Sequence, residues 1–248
     1  MKIILIGAGK LGKQLYRAIV LSNDLEIIQW VNRSSKKTKT SEGVPIVEEI
    51  GDIKNIELYL LAVSDESIGT ISNSLPKEAF VVHSAGGISL SEIIQKRAGV
   101  FYPLQSFSKD RNIDFSKTPV CVESKIKTDL DILKNLAKSI KSSVFDMNSK
   151  QREQLHLAAV IVNNFTNHLF LEAAEICKKN SLSFELLKPI IKETFEKLET
   201  LSPKDAQTGP ALRRDKKTIN KHLKLIESPD LRSIYKVFTL AIQKKNEK

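Results

Sequence analysis

One glycine-rich motif near the start of the chain limits what this sequence can fold into. Residues 7–12 read Gly-Ala-Gly-Lys-Leu-Gly, directly after an apolar run at residues 3–6 and before a stretch with helical spacing. In a strand-turn-helix unit, the first glycine permits a tight turn, the second lets a phosphate approach backbone N–H groups, and the third allows close packing. The motif therefore predicts dinucleotide binding through Gly7, Gly9, Lys10, Leu11 and Gly12. A glycine-rich turn without a cofactor is the alternative.

Short β-branched runs alternate with helical patterns as far as residue 147. The runs cover residues 3–6, 26–31, 58–63, 80–83 and 99–102, and two later runs cover 119–122 and 143–146. This alternation predicts a parallel sheet with helices on both faces, extended at its edge by the last two runs. The strong patterns after that are helical, over residues 150–179, 184–201, 216–226 and 231–244. We expect an α/β dinucleotide-binding domain at residues 1–147 and an all-helical domain at residues 148–248.

The segment after the second predicted strand indicates which dinucleotide fits. An NAD-binding fold commonly places Asp or Glu about 20 residues beyond the glycines, where it holds the ribose hydroxyls. Here residues 32–37 read Asn-Arg-Ser-Ser-Lys-Lys and contain no carboxylate. A guanidinium, hydroxyls and positive charge suit a 2′-phosphate. The sequence therefore predicts NADP, bound by Asn32, Arg33 and Ser34, although a solvated basic loop would also explain the lysines.

Two further strand ends carry candidate cofactor-binding residues. Ligands of open α/β sheets bind beyond the carboxyl ends of the strands. Val63 and Ser64 are therefore expected along the adenosine and ribose, and Ser84 and Gly86 near the nicotinamide. His83 fits either this site or the interior of the sheet.

Polar side chains in the helical region form a second candidate site. Asn164, Asn167 and His168 lie three and four residues apart, on one face of a helix. Buried amides must be hydrogen-bonded, so this cluster predicts either a substrate site or hydrogen bonds between helices. Arg213 offers an anion-binding group beside a turn. His156 or His168 is the candidate proton donor, because imidazole titrates closest to neutral pH.

Composition excludes several other classes of protein. Hydrophobic residues at 41% and charged residues at 27% indicate a folded chain, and its apolar runs are far shorter than the ~18 residues that span a membrane. Cys121 and Cys177 have no metal-ligand spacing, which predicts no metal site and a reducing cytoplasm. The net charge is +10, but the basic residues are scattered with few aromatics between them, which disfavours a nucleic-acid partner.

These features together resemble a family of Rossmann-fold oxidoreductase homologues that carry a C-terminal helical domain of unknown function. They are similar in organisation to pyrroline-5-carboxylate reductase and to deazaflavin-dependent NADP reductases. The resemblance rests on the glycine motif, on residues 32–34, 83–86, 103–107, 158–168 and 208–210, and on Arg213 and Asp215. The chain has Tyr102 where the family pattern has His, and Arg214 where it has Gly. The resemblance implies an N-terminal Rossmann domain, NADP and a homodimer built on the helical domain.

The helix predicted at residues 150–179 gives a separate argument for a homodimer. It is apolar around most of its circumference, and such a helix must be buried. A helical domain of about 100 residues is small for enclosing it without a partner.

The chemistry of the candidate site favours reduction. The hydroxyacid dehydrogenase group is similar in layout and uses a Lys one helical turn before an Asn, but Ala159 and Val160 precede Asn163 and Asn164 by four residues here. We therefore expect an NADP-dependent oxidoreductase that transfers hydride to a small anionic substrate of imine or keto acid type. A non-catalytic NADP-binding sensor or partner protein is the alternative.

Overall fold

The structure is a computed structural model that describes residues 1–50, 55–108 and 111–245. The chain divides into two compact units, Met1–Asn164 and Phe165–Lys248. The predicted domain boundary at residue 147 falls between the last strand and the first helix of the helical region, and it stays a prediction.

Within the described residues, the first unit is built on an eight-stranded sheet. Its strands are β1 Lys2–Ile6, β2 Glu26–Val31, β3 Ile46–Val47, β4 Leu58–Leu61, β5 Val81–His83, β6 Ala98–Pro103, β7 Val120–Ser124 and β8 Val144–Asp146. They are ordered β3-β2-β1-β4-β5-β6-β7-β8, and β6 with β7 is the antiparallel pair among otherwise parallel neighbours. The predicted parallel sheet with two added edge strands is confirmed. The sequence did not indicate β3, because two residues are too few to show a period.

Eight α-helices occur in the described ranges. They are α1 Lys10–Val20, α2 Ile68–Ser74, α3 Lys127–Ser139, α4 Ser149–Ala159, α5 Thr166–Lys179, α6 Lys188–Glu196, α7 Lys216–Leu225 and α8 Pro229–Lys245. The helix predicted at residues 150–179 is interrupted by a π-helix at Val160–Phe165. The helix predicted from residue 184 begins as an α-helix at Lys188, because Pro189 is tolerated in a first turn and not in an interior.

The sheet is buried on both faces, which explains the uninterrupted apolar run of β1. Ile3 and Leu5 of β1 belong to one core, together with Leu15 of α1. Ile4 and Ile6 point to the other face and belong to a second core. Central parallel strands covered on both sides are apolar at successive positions for this reason. The two cores hold the carboxyl ends of β1, β4 and β5 in fixed positions.

A buried arginine attaches α4 to the sheet. The guanidinium of Arg152, which is 0% exposed, forms an ion pair with Glu123 of β7 and donates to the carbonyl oxygen of Ile88. The hydroxyl of Ser149 donates to Glu123 at 2.9 Å and accepts from the Leu90 N–H at 3.0 Å. Helix α4 is therefore fixed both to β7 and to the segment that follows β5.

Substituting Glu123→Gln should lower the free energy of unfolding by about 3 kcal/mol, because it leaves the buried guanidinium without its counter-charge. Urea denaturation measures this change. The control is Glu196→Gln, which breaks an exposed 3.2 Å ion pair with Lys192 and should change stability by less than about 0.5 kcal/mol. Equal effects of the two substitutions would contradict the structural role of Arg152.

His83 lies inside the sheet at the end of β5, which decides between the two interpretations of this residue. Its side chain is fully buried, and its Nδ1 accepts from the Ala85 N–H at 3.2 Å. Burial, aided by the positive charge of Arg152, lowers the pKa of His83 to about 4. The imidazole is therefore neutral in the folded chain at neutral pH.

The buried imidazole makes the fold sensitive to acid. As the pH falls from about 6.5 to about 4, the unfolded chain binds a proton at His83 that the folded chain does not bind, so stability falls. This group should account for about 3 kcal/mol of the stability lost between pH 7 and pH 4. Urea denaturation at both pH values measures the free energy of unfolding. Between pH 7 and pH 4, His83→Gln should lose about 3 kcal/mol less of it than the wild type does. An unchanged pH dependence in the variant would refute this assignment.

Candidate functional site

A cleft of about 1000 Å³ lies where the glycine motif meets the carboxyl ends of β1, β2 and β4. Strand β1 lies between β2 and β4, so the order of the strands reverses at this point, where open α/β sheets bind their ligands. The structure brings nine of the predicted cofactor-binding residues together in the cleft lining: Gly7, Gly9, Lys10, Leu11, Asn32, Arg33, Ser34, Val63 and Ser64. Gly12, Ser84 and Gly86 lie outside this lining.

The three glycines of the motif have different surroundings. Gly7 has a φ of 107°, and a Cβ there would lie 2.3 Å from the carbonyl oxygen of Ala62. A Cβ on Gly12 would lie 2.3 Å from the carbonyl oxygen of Gly7, whereas one on Gly9 would meet nothing within 4 Å. Gly7 and Gly12 thus permit close packing of the backbone, and Gly9 leaves open space in front of the first turn of α1.

Two aromatic side chains, Trp30 and Tyr16, pack beside the glycine turn and stabilise it. The indole N–H of Trp30 donates to the carbonyl oxygen of Gly7 at 2.9 Å, and Tyr16 of α1 stacks on Trp30 with ring centroids 4.4 Å apart. The Tyr16 hydroxyl lies 2.7 Å from both Thr40 Oγ1 and Glu42 Oε2. Burial, together with the bond to Glu42, raises the pKa of Tyr16 to about 12. These contacts connect the glycine turn to the loop between β2 and β3.

The wall of the cleft beyond β2 carries both signs of charge. The Asn32 N–H donates to the carbonyl oxygen of Val47 at 2.8 Å, and Asn32 Oδ1 accepts from the Ser34 N–H at 3.2 Å. This turn leaves Arg33 and Ser34 exposed in the lining. The structure also brings three charged residues into the lining that sequence reasoning missed: Lys13, Glu48 and Glu49. The two carboxylates directly follow β3, the strand that the sequence did not reveal.

A second group of polar residues lies at the carboxyl ends of β5 and β6. The Tyr102 hydroxyl lies 3.0 Å from Nδ1 of His156, and the two rings meet edge to face with centroids 5.9 Å apart. Gly86 packs against both rings, because a Cβ there would lie 2.7 Å from Tyr102 Cζ and from His156 Nδ1. Ser84 is buried close to the end of β5. The sequence indicated His156, Ser84 and Gly86 but not the pairing of Tyr102 with His156, which depends on how α4 packs.

The remaining predicted site residues lie around the π-helix and in the second unit. Asn164 accepts a 3.2 Å hydrogen bond from the side chain of Asn163, and His168 Nε2 lies 3.6 Å from a carboxylate oxygen of Glu172. Asn167 lies exposed on α5, and Arg213 lies exposed ahead of α7. As members of a substrate site, Asn164, Asn167, His168 and Arg213 stay predictions.

The turn that follows Arg213 places Arg214 in a backbone conformation that favours glycine. Arg214 has a φ of 54°, in the left-handed region that glycine enters without steric cost. The Gly that the resemblance led us to expect at this position would therefore adopt this conformation more easily than Arg214 does.

The described ranges contain no group of three His, Cys, Asp or Glu side chains placed to hold a metal ion. No helix among these residues has the length and apolar character needed to span a membrane.

Comparison with known proteins supports the fold and the resemblance. Over 98% of both chains, the structure is similar to that of BF3122, a proposed NADP oxidoreductase from Bacteroides fragilis, with 34% sequence identity and a TM-score of 0.83. The same fold occurs in protein TM1727 from Thermotoga maritima, with 19% identity, a TM-score of 0.74 and 98% of both chains covered. It also occurs in NADP-bound pyrroline carboxylate reductase from Plasmodium falciparum, with 15% identity, a TM-score of 0.63 and 99% and 97% of the two chains covered.

Sequence comparison identifies the family directly. No protein of curated function matches the chain. Residues 118–242 match DUF2520, a domain of unknown function. The predicted α/β Rossmann fold with a helical C-terminal region is confirmed, and the chain belongs to the DUF2520 family of Rossmann-fold oxidoreductase homologues.

Proposed function

We propose that this protein is an NADP-dependent oxidoreductase that transfers hydride to a small anionic imine or keto acid. The observation that carries the proposal is the geometry of the glycine turn. Gly9 leaves open space at the start of α1, while the close packing of Gly7 and Gly12 fixes the backbone around it. A pyrophosphate fits such a space because the first N–H groups of a helix lack internal partners and attract negative charge.

The charges around the turn support an anionic cofactor. Helix α1 has no side-chain cap and no acidic residue in its first turn. Lys10 and Lys13 line the cleft beside it. Neutralising the pyrophosphate is therefore left to backbone N–H groups and to these two lysines.

Arg33 and Ser34 support NADP over NAD. Both line the cleft directly after β2, where the ribose of a bound dinucleotide lies in this fold. A guanidinium binds a 2′-phosphate through two parallel hydrogen bonds. Relatives with NADP bound, such as the Plasmodium falciparum reductase, support the same cofactor. Glu48 and Glu49 would favour NAD over NADP, because carboxylates accept hydrogen bonds from ribose hydroxyls and repel a 2′-phosphate.

Arg33→Ala should therefore weaken NADPH binding by about 1.5 to 3 kcal/mol and leave NADH binding nearly unchanged. Quenching of protein fluorescence or titration calorimetry measures both affinities. Arg17→Ala is the control for lost charge, because Arg17 bonds to the side chain of Asn112 and lies outside the cleft lining. An equal loss of affinity for NADPH and NADH would mean that Arg33 does not contact a 2′-phosphate.

The reaction class is tested by following the absorbance of NADPH in the presence of imines and keto acids that carry a carboxylate. Oxidation by either class supports a reductase over a non-catalytic NADP-binding protein. NADPH that binds tightly and is oxidised by neither class would favour the non-catalytic alternative.

Exposed apolar side chains support the homodimer. Five large apolar side chains in and beside the π-helix are each at least 50% exposed: Leu157, Ile161, Val162, Phe165 and Leu171. Apolar side chains of this size, repeated along one helical segment, indicate a surface that a partner covers. A second copy of the chain is the partner that the resemblance implies.

Light scattering at low micromolar concentration should give about twice the monomer mass of 27.8 kDa. Val162→Glu, which places a charge where 67% of the side chain is exposed, should shift the protein toward the monomer without unfolding it. A folded, monodisperse wild-type monomer would end the dimer proposal.

A further inference from the structure

The hydrogen bond between Tyr102 and His156 joins two groups that both transfer protons. The phenol oxygen and the imidazole Nδ1 are 3.0 Å apart, and both side chains are half-buried. Tyr102 lies on β6 and His156 on the last turn of α4, so the contact joins elements that are far apart in the sequence.

The pair lies along the same sheet edge as the cofactor cleft. Strand β5 separates β6 from β4, whose following residues Val63 and Ser64 line the cleft. Asp65, next to Ser64, is close enough to affect the pKa of Tyr102. A dinucleotide whose pyrophosphate binds at α1 extends along these strand ends, so its reactive ring would lie toward β5 and β6.

Two structural features, besides the hydrogen bond itself, hold the two rings in place. Arg152 lies one helical turn before His156, and its buried ion pair with Glu123 fixes the helix. Gly86 packs against both rings and has no side chain that would separate them. The geometry is therefore imposed by the surrounding fold and does not rest on one hydrogen bond.

We propose that Tyr102 is the proton donor of the reduction and that His156 restores its proton. This inference rests on the proposed function and names the acid that the function requires. When bound, NADPH would supply a hydride to the carbon of the C=N or C=O group. The electron pair of that double bond moves to nitrogen or oxygen, which takes the proton from the Tyr102 hydroxyl. The phenolate then takes a proton from Nδ1 of protonated His156, which regains one from water.

The electrostatic surroundings keep the phenol protonated. Burial raises the pKa of Tyr102 to about 12; Cys121 and Asp65 act in the same direction, and Arg152 opposes them. The phenol is therefore a proton donor throughout the physiological pH range. His156 is the neighbour that can return a proton to it directly.

Two substrates separate proton donation from hydride transfer. The first is 1-pyrroline-2-carboxylate, assayed above the pKa of its imine so that its nitrogen needs a proton. The second is the N-methyl iminium form of the same ring, which accepts hydride and needs no proton. Tyr102→Phe should slow NADPH oxidation by the neutral imine by about 100-fold or more. It should change oxidation by the iminium less than threefold and leave NADPH affinity intact.

The chain provides a matched control in a second Tyr-His pair. Tyr235 and His222 make a 2.8 Å hydrogen bond and an edge-to-face contact in the second unit. Tyr235→Phe removes the same kind of bond and should leave both reactions unchanged.

The outcomes distinguish this inference from the proposed function. If Tyr102→Phe oxidises NADPH as fast as the wild type with each substrate, Tyr102 is not the proton donor, and the proposal that the protein is a reductase still stands. Equal losses with both substrates would show that Tyr102 has only a structural role. If bound NADPH is oxidised neither by these two substrates nor by the other imines and keto acids of the reaction-class test, even in the wild type, the reductase proposal and the donor are overturned together.

Discussion

The buried ion pair of Arg152 with Glu123 is the interaction on which the candidate site most depends. Taking a guanidinium out of water is costly unless a carboxylate and further acceptors surround it. Here Glu123, the Ser149 hydroxyl and the Ile88 carbonyl accept from the two terminal nitrogens of the Arg152 guanidinium. Because these partners lie on β7, α4 and the segment after β5, one side chain fixes three elements. His156 is four residues after Arg152, so it is placed against Tyr102 by the same contacts.

The sequence predicted the fold where patterns are local and periodic. The glycine motif, the apolar runs and the helical spacing are each contained within about 20 residues. Helix caps are local in the same sense, because Asn148 and Asp215 each cap a helix through a side chain that accepts a nearby backbone N–H. The two-residue β3 had no such local signal. Glu48 and Glu49, which directly follow it, were therefore missed as part of the cleft.

The candidate site was predicted where it follows directly from strand ends and missed where it depends on packing. Gly7, Arg33 and Ser64 follow strands β1, β2 and β4, so parallel topology alone brings them together. The pairing of Tyr102 with His156 also needs the antiparallel register of β6 with β7 and the anchoring of α4 by Arg152. Contacts between residues far apart in the sequence set this register, so the local sequence around Tyr102 or His156 does not reveal it.

The π-helix explains why the predicted substrate residues are harder to place than the cofactor residues. The sequence pattern predicted that Asn164, Asn167 and His168 lie on one face of a single α-helix, which assumes 3.6 residues per turn. Val160–Phe165 instead forms i to i+5 hydrogen bonds, a wider turn found mostly as single interruptions and often at functional sites. Because of this wider turn, residues of α5 do not lie on the helix faces that 3.6 residues per turn, counted from α4, would predict. Asn163 and Asn164 lie within the interruption itself, so their orientation is set by the local change in backbone geometry and not by the apolar pattern of the flanking helices.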